Sequence, residues 1–88
     1  RSMYDPIFTF SREADSTIII DLKTEVDGLN IHYSFDETFP DHFYPAYNEP
    51  LRLPKDAVNL WVVTYQGNQQ VGKLIKMPVE EMKKRIKK

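Results

Sequence analysis

Short segments in which apolar and polar residues alternate, separated by turn-forming residues, limit this chain to a β fold more strongly than any other pattern in it. From position 18 the segment IIIDLK places Ile18, Ile20 and Leu22 on one side of an extended backbone and charged residues on the other. After the turn pair Asp-Gly at 27–28, segment 29–36 alternates again. These two strands are expected either to pair as a hairpin or to lie on facing sheets.

Further strand signals occur near the start of the chain and around a second turn. Residues 7–10 are predicted to form an opening strand. The region from 36 to 50 is interrupted by three prolines and is predicted to be a long irregular loop, followed by a short strand at 51–53. Segments 58–66 and 70–77 flank Gly-Asn at 67–68, a typical hairpin turn. Since no segment before Met77 has a helical period, the sequence predicts an all-β antiparallel sandwich of about seven short strands.

The last residues of the chain, 78–88, have a helical pattern instead. Pro78 suits the first helical position, two glutamates follow it, and the basic residues come last, as the helix dipole favours. The apolar residues of one face are Val79, Met82 and Ile86. Eleven residues are marginal as a free helix, so the tail is expected either to be partly ordered or to dock on this domain or a neighbour. The expected division is a sandwich over 1–77 and a tail over 78–88.

Length and composition exclude several classes of function. A chain of 88 residues has material for one thin core, because it buries only about 60 to 65% of its unfolded surface. The formal charge of −1 argues against a nucleic-acid partner, and no apolar run is long enough for membrane insertion. Without cysteine there is no thiolate metal site, disulfide or cysteine nucleophile. The start of the chain is neither an initiator Met nor a signal peptide, so a fragment of a longer protein is expected.

Acidic and histidine side chains crowd into segment 31–53, where they raise the question of a catalytic or metal site. His32 and His42 match no metal-binding spacing, and Asp36 and Glu37 are adjacent on a strand end, so they point to opposite sides. Serines have no apparent His-Asp relay, and the glycines are spaced as turn residues. We therefore predict no catalytic residue, no metal and no cofactor.

The aromatic residues are better candidates for a contact surface. In the segment LWVVTY, alternation would send Trp61, Val63 and Tyr65 to the side of the sheet opposite the core. That exposed stripe could pack on a neighbouring domain or stack on pyranose rings; in the reverse register Trp61 would be the buried aromatic residue of the sandwich. Tyr44 and Tyr47 complete the candidate surface, although their proline-bounded loop makes it more natural that they pin the loop to the sheet edge.

The order of several short segments resembles a known module. A strand end (YSFD, 33–36), a loop proline (Pro40), a tyrosine (Tyr47) and a following Pro-aliphatic strand (50–53) resemble the C-terminal module of bacterial β-N-acetylhexosaminidases and chitobiases of glycoside hydrolase family 20. The family pattern has Tyr-Thr-Leu-Asp-Gly-Ser-Glu-Pro at the strand end, a later Tyr, and then Pro-Ile. The next strand resembles the family's Leu-Lys-Ala-x-Ala-Phe at Leu60, Val62, Thr64 and Tyr65. The resemblance covers about residues 5–77.

This resemblance implies an immunoglobulin-like or fibronectin-III-like accessory domain of a secreted, periplasmic or cell-surface enzyme. In the family the catalytic Asp-Glu pair belongs to a separate TIM barrel, and no position here matches it, so the implied partner is that barrel and the fragment itself is no enzyme. The sequence departs from the family after Asp36, where Glu37, Thr38 and Phe39 replace Gly-Ser-Glu. The turn therefore lacks its usual glycine.

The expected role is structural: a non-catalytic domain that packs on, or spaces, the barrel of an enzyme hydrolysing terminal N-acetylhexosamine residues. One alternative is a carbohydrate-binding module, with rings such as Trp61, Tyr65, Tyr44 and Tyr47 stacking on glycans and Asp36 or Asn48 binding hydroxyls. Another is a cell-surface adhesion sandwich.

Overall fold

Seven strands and one helix follow one another in residues 2–86, which the computed structural model of the protein describes. The elements are β1 (Ile7–Arg12), β2 (Ile18–Lys23), β3 (Asn30–Ser34), β4 (Leu51–Arg52), β5 (Asn59–Gln66), β6 (Gln69–Gln70), β7 (Ile75–Pro78) and α1 (Val79–Arg85). The last two lysines, part of the predicted basic helix end, lie outside the described residues. Within 2–86 no helix is long and apolar enough to cross a membrane.

The strands form two antiparallel sheets. The first sheet has the order β1-β2-β4; in the second sheet, β5 is central, with β3 on one side and β6 and β7 on the other. The predicted all-β sandwich is confirmed, and of the two alternatives for β2 and β3 the structure has facing sheets. The core contains Phe10, Ile18, Ile20, Leu22 and Leu51 from the first sheet and Ile31, Leu60, Val62 and Met77 from the second, with Met82 of α1.

The strand predicted over 70–77 is broken into β6 and β7 by an irregular step. Gly67 opens the predicted two-residue turn with a φ of +58°, which suits glycine. Beyond the turn, the amides of Val71 and Gly72 both donate to the carbonyl of Thr64, at 3.0 and 3.1 Å. A Cβ at Gly72 would lie 3.1 Å from the Thr64 Cβ and 3.4 Å from the Tyr4 carbonyl oxygen, so a side chain here would press its neighbours apart by a few tenths of an ångström.

Helix α1 docks on the sandwich. Met82 is fully buried in the core, and Val79 and Ile86 pack against it, as the spacing of the apolar face predicts. Pro78 has an extended conformation (φ −70°, ψ 146°) and ends β7 as the N-cap, one position before its predicted place. The side chains of Glu81 and Arg85 pair at 2.8 Å on the exposed side, and this hydrogen bond is the main reason that the pKa of Glu81 is lowered.

Candidate functional site

A long loop, residues 36–50, lies over the outer face of the second sheet; we call it the covering loop. Its Pro40 is fully buried, and the Tyr65 hydroxyl on β5 donates to the Pro40 carbonyl at 2.9 Å. On β3, the Nδ1 of His32 lies 2.6 Å from the carbonyl oxygen of Tyr44. A carbonyl only accepts, so this geometry places a proton on Nδ1. The loop is therefore held on the sheet by buried polar contacts.

The end of the covering loop also closes the edge of β3. The amide of Tyr33 donates to the Pro45 carbonyl at 3.2 Å, and the amide of Tyr47 donates to the Ile31 carbonyl at 2.7 Å. Ala46 forms an isolated antiparallel bridge between them. The prediction that the loop is pinned to the sheet edge is confirmed for Tyr47, whose side chain also packs against the core. Tyr44 contributes its carbonyl, to His32, whereas its hydroxyl bonds Thr38 within the loop.

The outer side of β5 carries Trp61, Val63 and Tyr65, as the alternation predicts. The expectation that these residues form an exposed stripe is wrong. Val63 is 0% and Tyr65 4% exposed, because the covering loop occupies that face. The rings of His32 and Tyr65 meet edge to face beneath the loop, 5.0 Å apart. A signal was present in the sequence: the nearly unbroken apolar run LWVVTY is typical of a strand buried on both faces.

Trp61 is the half-buried member of this outer face. It pairs across the sheet with Ser34 on one side and Lys76 on the other, and the Lys76 Nζ lies 4.5 Å from the centroid of the indole ring. Its Nε1 is buried and has no hydrogen-bond partner within residues 2–86. Trp61 therefore belongs neither to the sandwich core nor to an open aromatic stripe.

The turn after Asp36 contains a residue with left-handed backbone conformation, although the glycine of the resembled family is absent. Glu37 has a φ of +62°, and the Asn59 side-chain amide donates to its carboxylate at 2.6 Å. The Thr38 hydroxyl donates to the Asp36 carboxylate at 2.6 Å, and the Ser34 hydroxyl donates to the Thr38 carbonyl. These side-chain bonds hold a turn that glycine would adopt without strain.

The two histidines of the same region have different surroundings. His32 is buried under the covering loop, whereas the half-buried ring of His42 stacks on Phe43, with centroids 4.1 Å apart. Within residues 2–86, no group of three or more His, Asp or Glu side chains could hold a metal ion. The pKa of the Tyr65 hydroxyl is raised, first by burial and then by the negative charge of Asp41.

A groove opens beside the covering loop, between the end of β3 and the turn that joins β4 to β5. Its volume is about 640 Å³. The apolar walls are Tyr33, Phe35, Tyr44, Pro45, Pro54 and Ala57, and the polar groups are Ser34, Asp36, Lys55 and Asp56. We call it the β3 groove. Sequence reasoning missed Tyr33 and Phe35 as site residues, because alternation assigns them to the core; they lie at its margin, half-buried, and also face the groove.

Two phenylalanines of the covering loop point away from the protein. Phe43 is 84% and Phe39 45% exposed. The turn that carries Phe43 is nevertheless ordered by Asp41, whose carboxylate accepts from the Phe43 amide at 2.9 Å and whose carbonyl accepts from the Tyr44 amide at 3.0 Å. Folding of the chain itself leaves Phe43 largely exposed and Phe39 partly exposed.

The fold and its site define a small β-sandwich with one outer sheet face closed by its own loop. Comparisons with protein-family models, with curated proteins and with solved structures found no match to the chain.

Proposed function

We propose that this chain is a non-catalytic accessory domain that packs against the catalytic TIM barrel of a bacterial, secreted or periplasmic β-N-acetylhexosaminidase. The observation that carries the packing role is the pair of outward rings, Phe39 and Phe43, on a loop that is otherwise tightly held. Fully burying such a ring contributes roughly 1.5 to 3 kcal/mol of favourable free energy. At Phe43 this contribution is not made by the domain alone, so it is available to a partner.

The two rings are carried by an ordered loop as well as being exposed. An exposed aromatic ring on a mobile loop would lose side-chain and backbone entropy when a partner binds. Here the turn is already fixed by Asp41, and the loop beneath it is fixed by Tyr65 and Pro40. Preordered aromatic residues are the kind that dominate the binding energy of protein interfaces. The covering loop therefore has the properties of a contact surface between domains.

Two further observations support the choice of parent enzyme and of fold type. The left-handed Glu37 occupies the position at which the resembled module has glycine, so the turn is compatible with that family despite the substitution. A first sheet of β1, β2 and β4 facing a second sheet of β3, β5 and β6/β7 is compatible with the proposed immunoglobulin-like or fibronectin-III-like type. Neither observation assigns an activity, since one fold serves many functions.

The coding sequence upstream of Arg1 is the first test. We expect it to encode a TIM barrel with an adjacent Asp-Glu pair. An upstream region without such a barrel would refute the proposed parent enzyme.

The second test uses the full-length product with the double substitution Phe39→Ser and Phe43→Ser. In the isolated domain, the free energy of unfolding should change by no more than about 1 kcal/mol, because Phe43 is 84% exposed and Phe39 is 45% exposed. In the full-length protein, the domain should be released from the barrel, seen as faster proteolysis between the two domains.

A matched control is Val58→Ser, which removes another exposed apolar side chain, on the turn between β4 and β5. It should leave the proteolysis rate at the wild-type value. If the double variant also keeps that rate, the covering loop is not the packing surface.

A further inference from the structure

We propose that the β3 groove binds a pyranose unit of a glycan. This site is separate from the outward rings Phe39 and Phe43, and it does not depend on the proposed packing role or on the parent enzyme.

The walls of the β3 groove suit the apolar face of a sugar ring. Tyr33 and Phe35 lie edge to face, with centroids 5.8 Å apart and planes at 68°, and the core supports both rings. Tyr44 lines the covering-loop side of the groove. Its hydroxyl lies 2.7 Å from the Thr38 hydroxyl, which already donates to Asp36, so the tyrosine is the donor. Pyranose C–H groups carry slight positive charge and pack well on the negative face of such fixed rings.

The polar groups of the groove complement hydroxyls. Lys55 and Asp56 are exposed and make no hydrogen bond or ion pair within residues 2–86, so both are available to a ligand. Asp36 uses one carboxylate oxygen to hold Thr38. Two carboxylates and one ammonium group offer acceptors and donors together, as neutral hydroxyls require, and their net negative charge opposes an anionic ligand.

The backbone around the groove excludes one common alternative, an extended peptide that adds a strand to the sheet. The edge of β3 is already paired there, because Tyr33 donates to Pro45 and Tyr47 donates to Ile31. A proline-rich peptide needs only ring-lined walls, so it forms the competing outcome of the test.

The experiment is a titration of the ¹⁵N-labelled domain with neutral tetrasaccharides of N-acetylglucosamine, glucose and mannose, and separately with a proline-rich decapeptide. We expect saturable amide shifts for at least one glycan at or below about 10 mM, in segments 33–36 and 55–57 and at Tyr44. The indole N–H signal of Trp61 should stay unchanged, because Trp61 does not line the groove.

The double substitution Lys55→Ala and Asp56→Ala tests the polar groups. It should weaken glycan binding about fivefold or more, as expected for the loss of one or two hydrogen bonds. The control is Asp21→Ala with Lys23→Ala, an equivalent exposed pair on β2, which should bind as the wild type does. Phe35→Leu keeps an apolar side chain at the core margin and should remove binding while the spectrum stays that of a folded protein.

Three outcomes would overturn the proposal. The first is the absence of saturable shifts with every glycan. The second is binding of the peptide alone, or shifts centred on Trp61. The third is unchanged affinity in the Lys55→Ala, Asp56→Ala variant.

Discussion

At the scale of single residues, two side chains occupy backbone positions that usually belong to glycine. Ser16 has a φ of +72° and Glu37 a φ of +62°. Glu37 is held there by Asn59, whereas the main contacts of Ser16 are made by its backbone: its amide donates to Glu13 and its carbonyl accepts from Arg12. Replacing the Ser16 side chain therefore changes the backbone strain with little change in other contacts.

Substitutions at Ser16 should reveal that strain directly. Ser16→Gly should raise the free energy of unfolding by about 0.5 to 1 kcal/mol, because left-handed backbone costs roughly 1 to 2 kcal/mol with a side chain and glycine's unfolded-state entropy offsets part of the gain. Ser16→Val should lower it by about 1 kcal/mol or more, since a β-branched residue is least tolerated there. Urea denaturation measures both, and equal stabilities for the two variants would contradict the strain.

Tyr65 should make the stability of the domain depend on alkaline pH. Its pKa is raised in the folded protein, so the stabilisation is complete below the unfolded value of 10.0 and is lost as pH rises through the folded pKa. Tyr65→Phe leaves the Pro40 carbonyl without its donor and should cost about 1 to 2 kcal/mol at pH 8. The difference in free energy of unfolding between wild type and variant, measured by urea titration, should be smaller at pH 11 than at pH 8. A gap that stays constant over that range would show that Tyr65 is not the titrating group.

At the scale of elements, the covering loop behaves as part of the second sheet. The Tyr47 amide should exchange with deuterium about as slowly as amides within β3, because its bond to Ile31 lies against the sheet. The Phe43 amide, whose acceptor Asp41 is exposed, should exchange much faster and is the internal control. Hydrogen exchange followed by NMR measures the two rates. Similar fast rates at both positions would mean that the loop opens independently of the sheet.

The same loop shows where sequence reasoning succeeded and where it failed. Alternation placed Ile18, Ile20 and Leu22 correctly, because strand periodicity is a local property. It also placed Trp61 on the outer face, but it could not show that Pro40 would lie on Tyr65, 25 positions along the chain. Contacts of that kind depend on the path of a loop without a repeating pattern. For the same reason the β3 groove, which joins three separate segments, was not foreseen.

At the scale of the whole molecule, α1 and the two sheets share one core, so they should unfold together. Met82→Ala should cost about 2 to 5 kcal/mol, a large part of the stability of so small a domain. Trp61 fluorescence and the Met82 methyl NMR signal in the wild type should report the same urea midpoint. Lys84→Ala, an exposed helix position, is the control and should change little. A helix that melts at lower urea than the sheets would contradict the shared core.

The closure of the β3 edge by residues 45–47 also affects how copies of this protein meet at high concentration. An unpaired edge strand offers a row of amide donors to another molecule and so promotes aggregation. Here positions 45 and 47 direct their backbone polar groups towards β3, so the outward side of this segment presents a single donor, that of Ala46. The loop that covers the sheet therefore also protects that side of the protein from edge-to-edge association.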